Sequence, residues 1–134
     1  KITKIKNLEM PSDLKILIAD DNQDASNMLK MTFEKCSNQV ELANNGEEAV
    51  SLAESFRPDI IFMDLGMPIM DGHKAAALIL QRPWAKDLPI IALSGWGQEA
   101  DKERTNRQGF KGHLVKPVSH KHLIEEVLSV LGNK

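Results

Sequence analysis

Three short apolar runs, each ending in a polar side chain, constrain the fold of this chain more than any other feature. They occupy residues 15–20 (KILIAD), 59–64 (DIIFMD) and 89–94 (PIIALS). Their apolar residues are continuous rather than alternating, which predicts strands covered on both faces, as in a parallel sheet. Residues 40–43 and 113–116 are weaker strand candidates. The sequence therefore predicts five strands in one parallel sheet.

Helical periodicity fills the intervals between these strands. Apolar side chains recur every three or four residues in four segments, the first with a stripe that includes Ala25, Met28 and Phe33. The other three begin near Ala49, Ala75 and Leu123, and Ser119 is the predicted N-cap of the last. Residues 98–108 contain one apolar side chain and are predicted to form a surface helix or a loop. Strands alternating with helices predict an α/β domain with helices on both faces of the sheet.

Composition narrows the class of protein. The length of 134 residues suits one domain, and 42% hydrophobic residues suffice for its core. We predict a domain over residues 14–134 and a linker or extension over residues 1–13, and the lack of an initiator Met suggests a piece of a longer polypeptide. A net charge of -2 gives no basic excess for binding nucleic acid. One cysteine and the lack of any apolar run of about 18–20 residues predict a cytoplasmic domain.

Polar residues at the ends of the strands predict a functional site. Ligands of open α/β sheets bind at the carboxyl ends of the strands. Four reactive residues end predicted strands: Asp20, Asp64, Ser94 and Lys116. Asp21 adds a third carboxylate. Three carboxylates so close together repel one another unless a cation neutralises their charge. Mg²⁺ binds one or two carboxylates with waters and phosphate oxygens, so these acids predict a Mg²⁺ site. The simpler interpretation is that Asp21 or Asn22 only caps the helix that follows.

Asp64 is the predicted nucleophile of this site. A carboxylate can attack phosphorus and form an aspartyl phosphate. Phosphoryl transfer depends on positioning and on neutralising the equatorial oxygens, which the hydroxyl of Ser94 and the ammonium of Lys116 suit. Gly66 and Pro68 keep the loop after Asp64 compact, and a backbone carbonyl there is available to complete the metal shell.

Four motifs in this order resemble the receiver domain of two-component response regulators. They are residues 18–22 (IADDN), 62–72 (FMDLGMPIMDG), 92–95 (ALSG) and 114–118 (LVKPV). Asp64 lies 43 residues after Asp21, Ser94 lies 30 after Asp64, and Lys116 lies 22 after Ser94. These intervals match the spacing of the family, and the resemblance covers about residues 14–131.

The resemblance implies a flavodoxin-like (βα)₅ fold, a three-layer sandwich with a parallel five-stranded sheet of order 2-1-3-4-5. It implies that Asp64 takes a phosphoryl group from a phosphohistidine of a histidine kinase or a His-containing phosphotransfer domain. Ser94 and Lys116 would hold that group. The implied Mg²⁺ ligands are the side chains of three residues and one backbone carbonyl, namely Asp20, Asp21, Asp64 and Gly66. Such a domain is a self-phosphorylating and slowly self-dephosphorylating phosphoacceptor rather than a turnover enzyme.

The resemblance also implies a conformational switch, in which Ser94 moves toward the phosphoryl group and the residue three before Lys116 repacks. That residue, usually aromatic, is His113 here, and Gly66 stands where many relatives have a polar side chain. Residues 110–118 resemble receivers fused to hybrid sensor histidine kinases. The domain would then be free or tethered to a membrane-anchored kinase, and would itself contact neither nucleic acid nor membrane.

Two other classes of protein share parts of this pattern. A haloacid-dehalogenase-like phosphatase needs an acid two residues after its Asp nucleophile, where this chain has Gly66. A pseudo-receiver that only binds proteins usually lacks one of the site acids or the lysine, and this chain has all of them. In the receiver interpretation Trp96, two residues after Ser94, is predicted to lie beside the metal.

Overall fold

Five parallel strands alternate with five helices in the computed structural model, which describes residues 10–95 and 102–131. The elements in chain order are β1 Lys15–Ala19, α1 Gln23–Glu34, β2 Gln39–Ala43, α2 Gly46–Phe56, β3 Ile60–Asp64, α3 Gly72–Leu80, β4 Ile90–Ser94, α4 Lys102–Arg107, β5 Gly112–Val115 and α5 His120–Leu131. Each predicted strand is present, with its ends within one residue of the predicted ones.

The strand order of the sheet is β2-β1-β3-β4-β5, and all neighbouring strands are parallel. Every residue of β3 and β4 is buried, which explains why their sequences are continuous apolar runs. Strand β5 lies at one edge of the sheet, and its residue Val115 is 52% exposed. The predicted order 2-1-3-4-5 is therefore confirmed.

Two apolar cores separate the sheet from two layers of helices. On one face, Phe33 of α1 and Leu123 of α5 pack with Phe62 of β3. On the other face, Ala53 of α2 and Ile79 of α3 belong to a second core that includes alternate residues of the same strands. Because successive side chains of a strand point to opposite faces, each buried run supplies both cores. The three-layer sandwich is confirmed.

The stretch predicted as a surface helix or a loop is helical where the structure describes it. Helix α4 covers Lys102–Arg107, and Thr105 anchors it with only 3% exposure. Residues 98–101 of that prediction, and Trp96, lie outside the described residues. A short 3₁₀ turn at Pro83–Ala85 was not predicted.

Residues just before β1 contact the domain through Asn38. Its side-chain oxygen accepts from the Leu14 N–H at 2.9 Å, and its side-chain nitrogen donates to the Pro11 carbonyl at 2.9 Å. Met10 is buried at 8% exposure. The domain boundary at residue 14 stays a prediction. None of the helices within the described residues is long and apolar enough to cross a bilayer.

Candidate functional site

The carboxyl ends of β1 and β3 bring three acids together. Ala19 pairs with Met63 in the sheet, so Asp20 leaves β1 beside Asp64, the last residue of β3. One carboxylate oxygen from each of Asp20, Asp21 and Asp64 lies within 4.8 Å of the other two. Asp20 and Asp64 are buried and Asp21 is exposed. These oxygens form the hard donor set that a divalent cation such as Mg²⁺ prefers.

The turn after β1 leaves Asp21 uninvolved in capping. The Oδ1 atom of Asn22 accepts from the Ala25 N–H at 3.1 Å, so Asn22 is the N-cap of α1. The N–H of Asn22 in turn donates to Oδ1 of Asp20 at 3.0 Å, which fixes that carboxylate. Of the two residues that the simpler interpretation assigned to capping, only Asn22 caps the helix.

Lys116 joins the acids from the end of β5. Its Nζ atom lies 3.2 Å from Oδ2 of Asp20 and 3.4 Å from Oδ2 of Asp64. Burial would lower the pKa of Lys116, but the carboxylates of Asp64 and Asp20 outweigh it and raise the pKa above its ordinary value. The ammonium therefore stays charged and partly offsets the acids.

Ser94 ends β4 beside His113 of β5. Ser94 is 1% exposed, and its Oγ atom lies 2.9 Å from Nε2 of the half-buried His113 ring. The sheet register makes this contact, because Ala92 pairs with His113 and Ser94 pairs with Val115. Of the sequence-predicted site residues, the structure thus places the three acids and Lys116 in one cluster and Ser94 on the adjacent strand end.

The loop after Asp64 is held against that residue by backbone contacts. The Gly66 N–H donates to Oδ1 of Asp64 at 3.3 Å, and the Gly72 N–H donates to the Leu65 carbonyl at 3.1 Å. A Cβ atom on Gly72 would lie 2.2 Å from the Asp64 carbonyl oxygen. The first residue of α3 therefore sits directly on the peptide that carries Asp64.

Comparison with known proteins decides the family. The profile of the response regulator receiver domain matches residues 16–128. The chain belongs to the receiver domain family. It is similar to the protein PilH of Pseudomonas aeruginosa, with 34% identity over 87% of this chain and 97% of PilH. It is also similar to the histidine-protein kinase BarA of Escherichia coli, with 32% identity over 81% of this chain and 12% of that kinase.

Solved receiver structures share the fold. Chemotaxis protein CheY4 of Vibrio cholerae matches with a TM-score of 0.83 and 29% identity, over 90% of this chain and all of that one. The receiver domain of a sensor histidine kinase from Pseudomonas aeruginosa matches with a TM-score of 0.81 and 28% identity, over 91% of this chain and 100% of that chain. That second structure has a magnesium ion coordinated in its active site cleft.

Burial and nearby negative charge both act on the carboxyl group of Asp64 in this receiver domain. Burial, and then the negative charge of Asp20, raise the pKa of Asp64 from 3.8 to about 6, although Lys116 and the Gly66 N–H oppose the shift. The site thus holds more negative charge than Lys116 offsets. A bound divalent cation would remove that excess.

An apolar hollow beside the acids is a feature that the sequence did not predict. It has a volume of about 460 Å³, and its lining includes Met28 and Leu29 of α1, Pro117, Val118, and the site residues Asp20 and Lys116. Met28 belongs to the stripe predicted for α1, yet it is 70% exposed. The stripe is wider than the contact of α1 with the sheet, so Met28 lies at the hollow instead of in the core.

Proposed function

We propose that this receiver domain accepts a phosphoryl group on Asp64 from a phosphohistidine donor in a Mg²⁺-dependent reaction. The observation that carries the proposal is the cluster of three carboxylates within 4.8 Å, with the Lys116 ammonium 3.4 Å from Asp64. In this proposal the ion is bound by Asp20, Asp21, Asp64 and the backbone carbonyl of Gly66. Bound Mg²⁺ would supply positive charge to the phosphoryl oxygens.

The residues of the chain have distinct tasks in the proposed transfer. A carboxylate oxygen of Asp64 attacks phosphorus, the new O–P bond forms, and the P–N bond to the donor imidazole breaks, with its electrons staying on the imidazole nitrogen. The Gly66 N–H holds the Oδ1 atom of Asp64 and so fixes the carboxylate for attack. Lys116 neutralises charge on the phosphoryl oxygens, and Ser94 donates a hydrogen bond to one of them.

The raised pKa of Asp64 makes Mg²⁺ binding depend on pH. Below the pKa of about 6 the carboxyl group binds a proton in the metal-free protein, and that proton must leave before Asp64 can ligate the ion. We expect the apparent Mg²⁺ affinity to fall by up to about tenfold per pH unit below that value. Calorimetric Mg²⁺ titrations between pH 5 and pH 8 measure this, and equal affinities at pH 5 and pH 7 would contradict it.

The apolar hollow is the proposed docking surface of the phosphohistidine-bearing helix of the donor. It is continuous with the site, because Asp20 and Lys116 line both. A helix that fills the hollow therefore lies next to Asp64 and contacts Met28, which is 70% exposed. The donor is a histidine kinase or a His-containing phosphotransfer domain, which agrees with the similarity to a histidine-protein kinase.

Replacement of Met28 by glutamate tests the docking surface. The charge would have to be buried in an apolar interface, so we expect phosphotransfer from a protein phosphohistidine donor to slow by about tenfold or more. Phosphorylation by acetyl phosphate should be unchanged, because a small donor needs no docking surface. Timed transfer of ³²P from each donor separates the two effects.

Met31 provides the matched control for Met28. It lies on the same helix and is 59% exposed, but it does not line the hollow. Met31→Glu should transfer at the wild-type rate from both donors. Equal slowing in the two variants would show that charge on α1, and not the hollow, affects the donor.

Chemical identification of the phosphorylated species tests the proposed function. The protein is incubated with Mg²⁺ and acetyl phosphate, and the product is examined for stoichiometric label that is stable in acid and labile in base. Such label, mapped to Asp64, supports the proposal. Multiple turnover of phosphate esters would support a haloacid-dehalogenase-like phosphatase instead, and no uptake would support a pseudo-receiver that only binds proteins.

A further inference from the structure

The amino end of α2 contacts the loop that follows Asp64. Gly46 is the first residue of α2, so its N–H has no acceptor inside the helix, and it donates to the Met70 carbonyl at 2.9 Å. A Cβ atom on Gly46 would lie 2.3 Å from the same carbonyl oxygen. The φ angle of Gly46 lies outside the left-handed region. The close approach of the two backbones, and not the backbone conformation, therefore requires glycine at this position.

The loop is strained beside this contact. Ile69 has a φ angle of 70°, and the Met70 N–H donates to the Pro68 carbonyl at 2.7 Å, so Ile69 is the central residue of a γ-turn. A β-branched residue at positive φ is an outlier, and such a conformation persists only where the surrounding structure imposes it. The side chain of Ile69 is 76% exposed and does not hold the turn. We attribute the turn to backbone contacts, among them that of Met70 with Gly46.

The same loop leads back to the acceptor. The peptide between Leu65 and Gly66 is held at both of its polar groups, because its carbonyl accepts from the Gly72 N–H at 3.1 Å and its N–H donates to Oδ1 of Asp64 at 3.3 Å. The Gly66 carbonyl, the proposed backbone ligand of Mg²⁺, belongs to the next peptide. Three residues separate Gly66 from Met70, and the γ-turn fixes the last two of them. A displacement of Met70 is therefore transmitted to the carbonyl of Gly66.

We propose that Gly46 is a positioning residue of the metal site, which holds the loop through Met70 so that the Gly66 carbonyl can bind Mg²⁺. This inference rests on the proposed function, in which Mg²⁺ binds beside Asp64. Gly46 touches neither the ion nor the phosphoryl group. Because coupling between two sites is reciprocal, bound Mg²⁺ should in turn strengthen the hydrogen bond from Gly46 to Met70.

Replacement of Gly46 by alanine tests this role. The added Cβ atom forces the Met70 carbonyl to move, since a backbone oxygen 2.3 Å away leaves no room for it. We expect the Mg²⁺ affinity, measured by calorimetry at pH 7, to fall by about tenfold, the lower end of the effect of groups that support metal ligands. Phosphorylation by acetyl phosphate should recover as Mg²⁺ is raised. Ser51→Ala, an exposed change on the same helix, should bind Mg²⁺ as tightly as the wild type.

Amide hydrogen exchange tests the coupling in the unaltered protein. Saturating Mg²⁺ should slow exchange of the Gly46 N–H by about tenfold, the factor by which loss of its hydrogen bond weakens Mg²⁺ binding. The Arg57 N–H donates to the Ala53 carbonyl at the other end of α2, and its exchange should slow by less than about twofold.

The outcomes separate the coupling from the metal site itself. Equal slowing of the Gly46 and Arg57 amides, or wild-type Mg²⁺ affinity in Gly46→Ala, would overturn the inference and leave the proposed function intact. If the wild type binds no Mg²⁺, the proposed function fails and the inference fails with it.

Discussion

Asp64→Asn is expected to abolish phosphoryl uptake and at the same time to stabilise the metal-free protein at neutral pH. An amide oxygen is a poor nucleophile, so no aspartyl phosphate forms at this position. The amide also carries no charge, so the cost of burying a carboxylate and the repulsion from buried Asp20 both disappear. Loss of function and gain of stability therefore both follow from removal of one buried carboxylate.

The sign of the stability change follows from the pKa of Asp64, which is raised from 3.8 to about 6 in the folded chain. The folded state holds its proton more tightly than the unfolded state, so the wild type loses stability as the pH rises from about 4 to about 6. We expect Asp64→Asn to be more stable by about 2 kcal/mol at pH 7 and to show no advantage below pH 4. Urea unfolding in EDTA across this range measures the difference.

Asp71→Asn is the matched control for that experiment. Asp71 is exposed and caps α3 through the Lys74 N–H at 2.9 Å, a role that asparagine also fills. This variant should keep both the phosphoryl uptake and the stability profile of the wild type. Full uptake of label by Asp64→Asn would place the acceptor elsewhere.

Lys116→Met is expected to slow phosphorylation by about a hundredfold or more, since removal of one charge-stabilising donor commonly has that effect. Its ammonium contacts both Asp20 and Asp64, and these carboxylates are 0% and 4% exposed. Without it the metal-free protein should lose about 2 kcal/mol at pH 7, a figure reduced because Lys116 is itself partly exposed. Rates with acetyl phosphate and unfolding in EDTA measure the two effects.

Addition of Mg²⁺ distinguishes the electrostatic cause from lost packing. Saturating Mg²⁺ should restore most of the stability of Lys116→Met, because the ion neutralises the same carboxylates. Lys111→Met removes an exposed lysine just before β5 and should leave both rate and stability unchanged. If Mg²⁺ fails to restore stability to the Lys116 variant, charge crowding is not the source of the loss.

The central strands could be predicted from the sequence because a strand that is buried on both faces has a continuous run of apolar residues. Residues 60–64 and 90–94 are buried throughout, and no helical periodicity competes there. The segment before β5 has few apolar residues and shows no such pattern. Its helix α4 is anchored chiefly by Thr105, a polar residue whose burial no apolar pattern indicates.

The acids of the site were predictable because parallel strands end at the same edge of a sheet. The contacts between side chains along that edge could not be predicted from the sequence. The 2.9 Å contact of Ser94 with His113 depends on the register of β4 and β5, and a shift of one residue would direct the ring to the other face. The hollow beside α1 likewise depends on how the helices pack, and the sequence predicted only that Met28 belongs to the apolar stripe of this helix.

The contact of Gly72 with the Asp64 peptide leaves one side of the acceptor less able to move than the other. A Cβ atom on Gly72 would lie 2.2 Å from the Asp64 carbonyl oxygen, so backbone meets backbone and neither can yield. On the opposite flank, the side chains of Ser94 and His113 meet through their Oγ and Nε2 atoms, 2.9 Å apart. We therefore expect added bulk at the acceptor to displace these side chains rather than the first turn of α3.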